Sequence, residues 1–308
     1  MARAARTTTR VRAGPQSQTP RQWVLWAEKK FRTARLCYGH GTDNARDEAV
    51  FLVFRALGLP FDCAPGLLDN PVPKARCARL ADLVRRRIRE RKPVAYLLNE
   101  AWFAGLPFHV DERVLIPRSP IAELVLDRFA PWLSGGHARR ILDIGTGSGC
   151  IAIACARAFP KAAVDAVDVN SRALTVVRRN VARHELKARV HCIRSNVFSA
   201  LAGRTYDIIV ANPPYVPAGA WRRLPPEYMH EPKLALECGR DGFDVVRRVL
   251  AQAAAHLTRH GILVVEVGAG QRALMRAFPR LPFIWPDFRR GGDGVFILQR
   301  TDLEGQPA

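Results

Sequence analysis

The spacing of apolar residues changes along this chain of 308 residues. Up to about residue 90, apolar side chains recur at helical spacing, as at Trp23 and Phe31, between breaks made by Gly and Pro. Further on, short apolar runs that are typical of buried strands alternate with helical patterns. The pattern predicts an α/β chain with a helical domain over residues 21–95, a linking segment over 96–135 and a larger α/β domain over 136–302.

Two segments outside these domains have patterns of their own. Residues 1–20 contain four arginines, no acid and many Thr, Ser, Gln and Pro, which indicates a disordered basic tail. Residues 102–116 alternate around Asp111 and Glu112, which predicts a β-hairpin between the two domains. We expect that hairpin to cover the functional site.

A glycine-rich turn follows the first apolar strand of the larger domain, which begins at Arg140. Its spacing is Gly-x-Gly-x-Gly rather than the dinucleotide-binding pattern, and Asp143 precedes it within the strand. A carboxylate there suits an ammonium or sulfonium better than a phosphate. Because glycine lets the backbone approach a ligand closely, the turn is a candidate binding site, and the next helix is expected to begin at its end. Its candidate residues are Gly145, Thr146, Gly147, Ser148 and Gly149.

The next two apolar strands also end in polar residues. Asp168 ends the second strand, at the position that holds ribose hydroxyls in nucleotide-binding α/β folds. The alternative role for Asp168 is to cap the helix that starts near Ser171, although Asn170 and Ser171 can serve as caps themselves. The third strand ends before Asn196 and Val197, and the Asn196 amide is a candidate partner for an adenine edge.

The tetrapeptide Asn212-Pro213-Pro214-Tyr215 follows the apolar run 206–211. Two consecutive prolines have no N–H and a restricted φ, so the loop is stiff and presents acceptors without competing donors. The Asn212 side-chain oxygen and the Pro213 carbonyl can each accept one hydrogen of a planar NH2 group, while the Tyr215 ring covers its flat face. This arrangement favours alkylation of an amide or amine nitrogen, although a proline-rich turn that merely closes a strand has the same composition.

In order and spacing, these motifs resemble the Rossmann-like class I methyltransferases that use S-adenosylmethionine, whose fold is a seven-stranded mixed sheet. Two groups in that class share the Asn-Pro-Pro-Tyr loop, the nucleic-acid adenine methyltransferases and the protein glutamine methyltransferases. Five further segments are similar to the protein glutamine methyltransferase family: 38–44, 100–108, 114–124, 230–237 and 289–296. Within that family, the extra residue in Pro117-Arg118-Ser119-Pro120 favours the branch that modifies large-subunit ribosomal protein L3.

The resemblance implies methylation of a glutamine side-chain nitrogen in L3, with S-adenosyl-L-methionine as cofactor. It assigns catalysis to Asn212, Pro213 and Tyr215, and substrate binding to these three with Pro214. It assigns cofactor binding to Asp143, the turn 145–149, Asp168, Asn196, Val197 and Asn212. Asn196 stands where the family usually has aspartate. Three alternatives stay open: methylation of a release factor, methylation of adenine in nucleic acid, and a non-catalytic role in ribosome assembly.

Composition and net charge indicate which partners and which cell compartment suit this chain. With 48 Lys and Arg against 28 Asp and Glu, the net charge of +20 suits a polyanionic partner such as ribosomal RNA, or a ribosome-associated substrate. The basic segment with Arg79, Arg85, Arg86, Arg87 and Arg89 is a candidate contact face, or simply a solvated one. Seven scattered cysteines form no Cys-x-x-Cys pair, and no apolar run reaches the about 20 residues that span a bilayer, which predicts a cytoplasmic protein without a metal site or membrane association.

Overall fold

The computed structural model describes residues 18–289 and 291–304, which form two units that divide between Leu98 and Asn99, close to the predicted boundary at residue 95. Residues 1–17 of the predicted basic tail lie outside the described residues. The first helix begins at Pro20, within the predicted tail, because a capping box sets its start. Gln22 N–H donates to the Thr19 hydroxyl at 3.4 Å, and Thr19 N–H donates to the Gln22 side chain at 3.1 Å.

The N-terminal unit is helical, as the apolar spacing predicts. Within its described residues it contains α1 (Pro20–Thr33), α2 (Ala45–Leu57), a 3-10 turn (Pro65–Asp69), α3 (Lys74–Glu90) and α4 (Val94–Leu98). Trp23, Phe31 and Leu52 are fully buried in one core, together with apolar residues of α3. The aromatic residues at helical spacing are therefore core residues rather than a binding surface.

The basic helix α3 differs from its predicted role in one respect. Arg87 is fully buried, where it pairs with Glu48 at 3.1 Å and donates to the Cys37 carbonyl at 2.9 Å, so it is not part of a contact face. The helical period explains this position, because residue 87 lies on the same face as the buried Leu80 and Leu83. The sequence pattern could not predict this burial, because the acidic partner of Arg87 is distant in the chain.

The larger unit contains a six-stranded sheet within its described residues. Its strands are β3 (Arg140–Ile144), β4 (Ala163–Asp168), β5 (Val190–Arg194), β6 (Tyr206–Ala211), β7 (Leu257–Glu266) and β8 (Val295–Gln299), after the short β1 (Ala101–Phe103) and β2 (Leu106–Phe108). The strand order is β5-β4-β3-β6-β7-β8, parallel except for β8. The predicted seventh strand is reduced to a single antiparallel bridge between Ile284 and Ile297. The α/β methyltransferase-type fold class is thus confirmed, with one edge strand shortened.

Helices connect and cover these strands. They are α5 (Ile121–Leu126), α6 (Cys150–Ala158), α7 (Ser171–Arg183), α8 (Asp244–His256), α9 (Gln271–Ala277) and α10 (Arg300–Leu303). On one face of the sheet, Leu142, Ile209 and Leu263 pack in one cluster with Val249 of α8, all buried. Within residues 18–289 and 291–304, every helix is too short or too polar to cross a lipid bilayer.

The linking hairpin forms, but its predicted turn is wrong. β1 pairs with β2 through a turn at Ala104 and Gly105, whose φ values are 48° and 76°. Two central residues with positive φ are typical of the tight hairpin turn whose twist matches its strands. Asp111, at the predicted turn, instead accepts a hydrogen bond from the Arg113 Nε at 2.7 Å. The alternation of apolar and polar residues around 111–112 therefore does not correspond to paired strands.

Candidate active site

A cavity of about 370 Å³ lies at the carboxyl-terminal edge of the sheet, where the strand order reverses between β3 and β6. Ligands of open α/β sheets bind at such a reversal. Most of the predicted site residues line this cavity: Gly145, Thr146, Gly147, Ser148, Asp168, Asn196, Val197, Asn212, Pro213 and Pro214. Asp143, Gly149 and Tyr215 do not line it. The fold therefore collects residues from four strand ends around one space.

The glycine turn brings β3 close to the loop that follows β6. Gly145 and Gly147 have φ values of 70° and 56°, which favour glycine. A Cβ placed on Gly145 would lie 3.9 Å from the Asn212 carbonyl oxygen, so the two loops are neighbours across the cavity. Gly149 has a different function, because a Cβ there would lie 2.9 Å from Val177 Cγ1. It ends the turn as the N-cap of α6 and lets α6 pack against α7.

Asp143 acts inside the protein rather than at the cavity surface. Its Oδ2 accepts hydrogen bonds from the Thr146 hydroxyl at 2.6 Å and from Ala152 N–H at 3.1 Å, in the first turn of α6. It thus replaces the side-chain cap that Gly149 lacks. Its buried Oδ1 has no hydrogen-bond partner in the described residues, and burial raises the pKa of Asp143 to about 7. The predicted contact between Asp143 and a cofactor stays a prediction.

Asp168 ends β4 and lines the cavity. Its Oδ2 accepts from Gly147 N–H at 3.0 Å and its Oδ1 from Asn170 N–H at 2.8 Å. Each oxygen keeps a second lone pair, so the carboxylate is held by the backbone and can still accept from a ligand. Burial raises the pKa of Asp168, and it outweighs the backbone hydrogen bonds, which lower that pKa. The helix cap is Asn170, whose side chain accepts from Arg172 N–H at 3.0 Å.

The loop after β5 is held in a strained conformation. Val197 has a φ of 57°, which is costly for a β-branched residue and occurs where the surroundings impose it. The Ser195 hydroxyl donates to the Val197 carbonyl at 2.8 Å and accepts from Ala200 N–H at 3.1 Å, which supports this turn. The Asn196 side-chain oxygen accepts from Arg248 Nη1 at 2.9 Å. Asn196 therefore lines the cavity with one lone pair of its oxygen used by Arg248 and a second left for a ligand, and its predicted contact with an adenine edge stays a prediction.

The Asn-Pro-Pro-Tyr loop follows β6 directly. Asn212, Pro213 and Pro214 line the cavity, and Asn212 makes no side-chain hydrogen bond within the part of the chain that the structure describes. Its amide oxygen and NH2 group are thus available to a ligand in the cavity. The loop places these groups next to the glycine turn.

Tyr215 is oriented by the end of β7. Its hydroxyl donates to Glu266 Oε1 at 3.1 Å, and the Ser119 hydroxyl donates to Glu266 Oε2 at 2.5 Å. The ring contacts Gly268, where an added Cβ would lie 2.8 Å from Tyr215 Cε2. Burial raises the pKa of Tyr215, which keeps its hydroxyl protonated as the donor, and burial also raises the pKa of Glu266. The predicted contact between this ring and a substrate amide stays a prediction.

An ion pair between the half-buried Arg118, which lines the cavity, and the buried Glu231 has no role predicted from the sequence. Arg118 Nη1 and Nη2 lie 2.6 and 2.7 Å from the two oxygens of Glu231, whose Oε1 also accepts from Ile116 N–H at 3.1 Å. Burial opposes the charge on Arg118, but Glu231 outweighs it and raises the pKa of the guanidinium. The partners lie 113 residues apart, so no local pattern joins them. Both belong to segments that carried the family resemblance, which was the one available signal.

Comparison with known proteins identifies the family. The methyltransferase small domain family matches residues 122–224. A ribosomal protein uL3 glutamine methyltransferase of Bordetella pertussis is 48% identical over 93% of this chain and 96% of its own length. Another protein of that name, from Francisella tularensis, is 42% identical over 92% of this chain and 91% of its own. A methyltransferase structure from Pyrococcus furiosus is 21% identical, with a TM-score of 0.46 over 64% of this chain and 89% of that one. The chain therefore belongs to the ribosomal protein uL3 glutamine methyltransferase family.

Proposed function

We propose that this chain transfers the methyl group of S-adenosylmethionine to the side-chain nitrogen of a glutamine in ribosomal protein uL3. The names of the two relatives supply the substrate. The observation that carries the reaction is the approach of the Asn212 loop to the glycine turn within one cavity. Such a reaction belongs in the cytoplasm, where a bacterial cell makes its ribosomal proteins.

The cavity fits the cofactor that this family implies. Gly145 and Gly147 allow close approach of a ligand to the backbone, and Asp168 presents free lone pairs that suit ribose hydroxyls. Val197 adds an apolar wall to the cavity, which would suit the adenine ring of this cofactor. S-adenosylmethionine, when bound, supplies a methyl group that is activated by a sulfonium centre. The residues of the chain bind and orient it.

The other half of the site orients the substrate amide. The Asn212 side-chain oxygen and the Pro213 carbonyl are acceptors for the two amide hydrogens of glutamine, which fixes the plane of the group. An amide nitrogen is a poor nucleophile because its lone pair is delocalised into the carbonyl. Acceptors that interact more strongly as positive charge develops on nitrogen therefore lower the barrier. A water molecule suffices to take the proton afterwards, because a protonated N-alkyl amide is strongly acidic.

Tyr215 and the ion pair are assigned to positioning. The hydrogen bond from Tyr215 to Glu266 connects the loop after β6 to the end of β7. Arg118 and Glu231 connect the segment before α5 to the long loop after Tyr215, and both segments contribute to the cavity wall. These contacts hold the acceptors of the Asn212 loop in place, which matters because catalysis by orientation is sensitive to small displacements.

The direct test is methyl transfer from radiolabelled S-adenosylmethionine to purified uL3, followed by mass mapping of the product. Release factor and DNA, offered separately, test the alternatives that share the loop. We expect label on a glutamine of uL3 only. Label on release factor or on adenine would reassign the substrate, and the absence of label despite cofactor binding would contradict the catalytic proposal.

A further inference from the structure

The edge of the sheet opposite the cavity carries a row of basic residues. In parallel strands the amino-terminal ends lie together at one edge, and β4, with six residues, separates the two edges by about 20 Å. The segments at that edge contribute six residues, which we call the basic edge: Arg139, Arg140, Lys161, Lys187, Arg204 and Arg259. A partner bound there would leave the cavity accessible.

The first part of the row is defined by the strand register. Ala163 N–H donates to the Arg139 carbonyl at 2.9 Å, and Val164 N–H donates to the Arg189 carbonyl at 2.7 Å, so the starts of β3, β4 and β5 are adjacent. Lys161 immediately precedes β4, and Lys187 lies in the turn before β5. Arg139, Lys161 and Lys187 are exposed, and none makes an ion pair with an acid in the described residues.

The row continues across β6 and β7. Arg204 precedes β6, and Arg259 lies where the pairing of β6 and β7 is interrupted between Tyr206 and Ile208. This irregularity leaves Arg259 exposed at the start of β7. From β5 to β7 there are four inter-strand gaps of about 4.8 Å, so the row extends over roughly 20 Å. A linear polyanion could contact several of its cations at once.

An open recess lies within the basic edge. Between β5 and β6 the chain forms turns over residues 195–205 instead of a helix, so the sheet near β4 and β5 is left uncovered there. The recess is lined by Arg140, Arg204, His191 and Ile193, with Tyr206 at its base and the Asp165 carboxylate, which is paired with Arg204, in its wall. The Arg140 guanidinium lies 5.5 Å from the centre of the Tyr206 ring. Cationic and planar groups in one recess suit a phosphate or a stacked base.

The acids near this edge do not cancel its charge. Asp165 is buried and accepts from Arg204 at 2.9 Å and from the Tyr206 hydroxyl at 2.7 Å. Asp207 accepts from the backbone N–H groups of residues 139 and 140 and from a threonine hydroxyl. Glu185 is the remaining exposed acid in the turns before β5. The exposed cations therefore outnumber the exposed acids.

We propose that the basic edge binds RNA through its phosphates, with the recess taking a phosphate or base. The proposal rests on the proposed function, because a ribosomal protein substrate is assembled with RNA. Helix α3 suits this role less well, since its Arg85 pairs with Asp82 at 2.9 Å and its Arg86 and Arg89 share Glu90. The edge differs from α3 in that Arg139, Lys161 and Lys187 stand in a row, exposed and without an acidic partner in the described residues.

Binding of a short fluorescein-labelled RNA, followed by anisotropy over a range of salt concentrations, tests the proposal. The edge variant combines Arg139→Glu, Lys161→Glu and Lys187→Glu. The control combines Lys29→Glu, Arg35→Glu and Lys74→Glu, which makes the same change in charge at exposed residues of the N-terminal unit. We expect the edge variant to bind RNA about 10-fold or more weakly, with a salt slope smaller by about 2, and the control to bind within about 3-fold of the original.

Methylation of free uL3 is measured in parallel. The edge variant should methylate the free protein at the original rate, which shows that it is folded, and should methylate uL3 bound to RNA more slowly. Unchanged RNA binding by the edge variant, or an equal loss in the control, would overturn the proposal. If uL3 is not a substrate at all, the anisotropy comparison still decides whether the edge binds RNA, so the two failures are distinguishable.

Discussion

The Tyr215 hydroxyl donates a hydrogen bond to Glu266 Oε1 at 3.1 Å, although 51 residues separate them in the chain. Glu266 is buried and also accepts from Ser119, so one carboxyl group joins three segments that surround the cavity. The contact lies one residue beyond the prolines that present the proposed acceptors. Through this hydrogen bond, the end of β7 fixes the position of the loop that follows β6.

Replacement of Tyr215 by Phe tests this connection. The variant leaves a buried oxygen of Glu266 without its donor, so we expect the free energy of unfolding to fall by about 1–3 kcal/mol. The turnover number should also fall while the Kd for S-adenosylmethionine stays the same, because the cofactor half of the site is untouched. Urea denaturation, kinetics and calorimetry measure the three quantities. An unchanged turnover number would remove Tyr215 from the positioning machinery.

Asn212→Ala should abolish methyl transfer with little loss of cofactor binding. In the proposed mechanism the side chain supplies an acceptor for the substrate amide, and removal of one such group from a catalytic site lowers turnover by about 100-fold or more. Asn70→Ala, at an exposed loop residue, is the matched control and should leave both activity and binding unchanged. Equal losses of methyl transfer and cofactor binding would contradict the proposed role of Asn212.

Asp143 should make stability depend on pH. Burial raises its pKa from 3.8 to about 7, so the folded state keeps its proton to higher pH than the unfolded state does. The contribution of this group is fully present below pH 3.8 and is lost as pH rises through about 7. Asn retains an acceptor for Thr146 and Ala152 without ionising. We therefore expect Asp143→Asn to flatten the decline of the unfolding free energy over this range in urea titrations, and an identical slope in both proteins would disprove the assignment.

Arg118→Ala should be strongly destabilising, because it leaves the fully buried Glu231 side chain without its cationic partner. Loss of one member of a buried pair costs about 3–5 kcal/mol. The exposed pair of Arg21 and Asp69 provides the control, since solvent screens it and Arg21→Ala should cost far less stability than Arg118→Ala. Chemical denaturation compares the two variants. Similar costs would mean that the Arg118 pair does not hold the cavity wall.

Features that depend on neighbouring residues were predictable. β4 ends at Asp168, β6 ends at Ala211, and Asn170 caps α7, all as the sequence indicates. Apolar periodicity and the chemistry of glycine, asparagine and proline act over a few residues, so they can be recognised without knowledge of the fold. The predicted strand ends also identified most residues of the cavity, because the carboxyl ends of parallel strands meet at one edge of the sheet.

Errors occurred where two local patterns competed or where a partner was distant. The alternation around Asp111 suggested a hairpin turn, whereas the turn that forms uses Gly105. Arg87 was predicted to lie on the surface because its segment is basic. It is instead buried in the core together with Glu48, which is 39 residues away in the chain. In each case, long-range packing decided between conformations that the local sequence allowed.

Local patterns in the amino-acid sequence were enough to predict the fold class, the order of strands and helices along the chain, and the motifs that face the cavity. The folded chain was needed to show that Asp143 caps a helix, that the Asn196 oxygen accepts from Arg248, and that Glu266 orients Tyr215. The reason is physical. Periodicity and turn chemistry are properties of a short segment, whereas the partner of a buried polar group depends on which distant segments the folded chain brings within hydrogen-bonding distance.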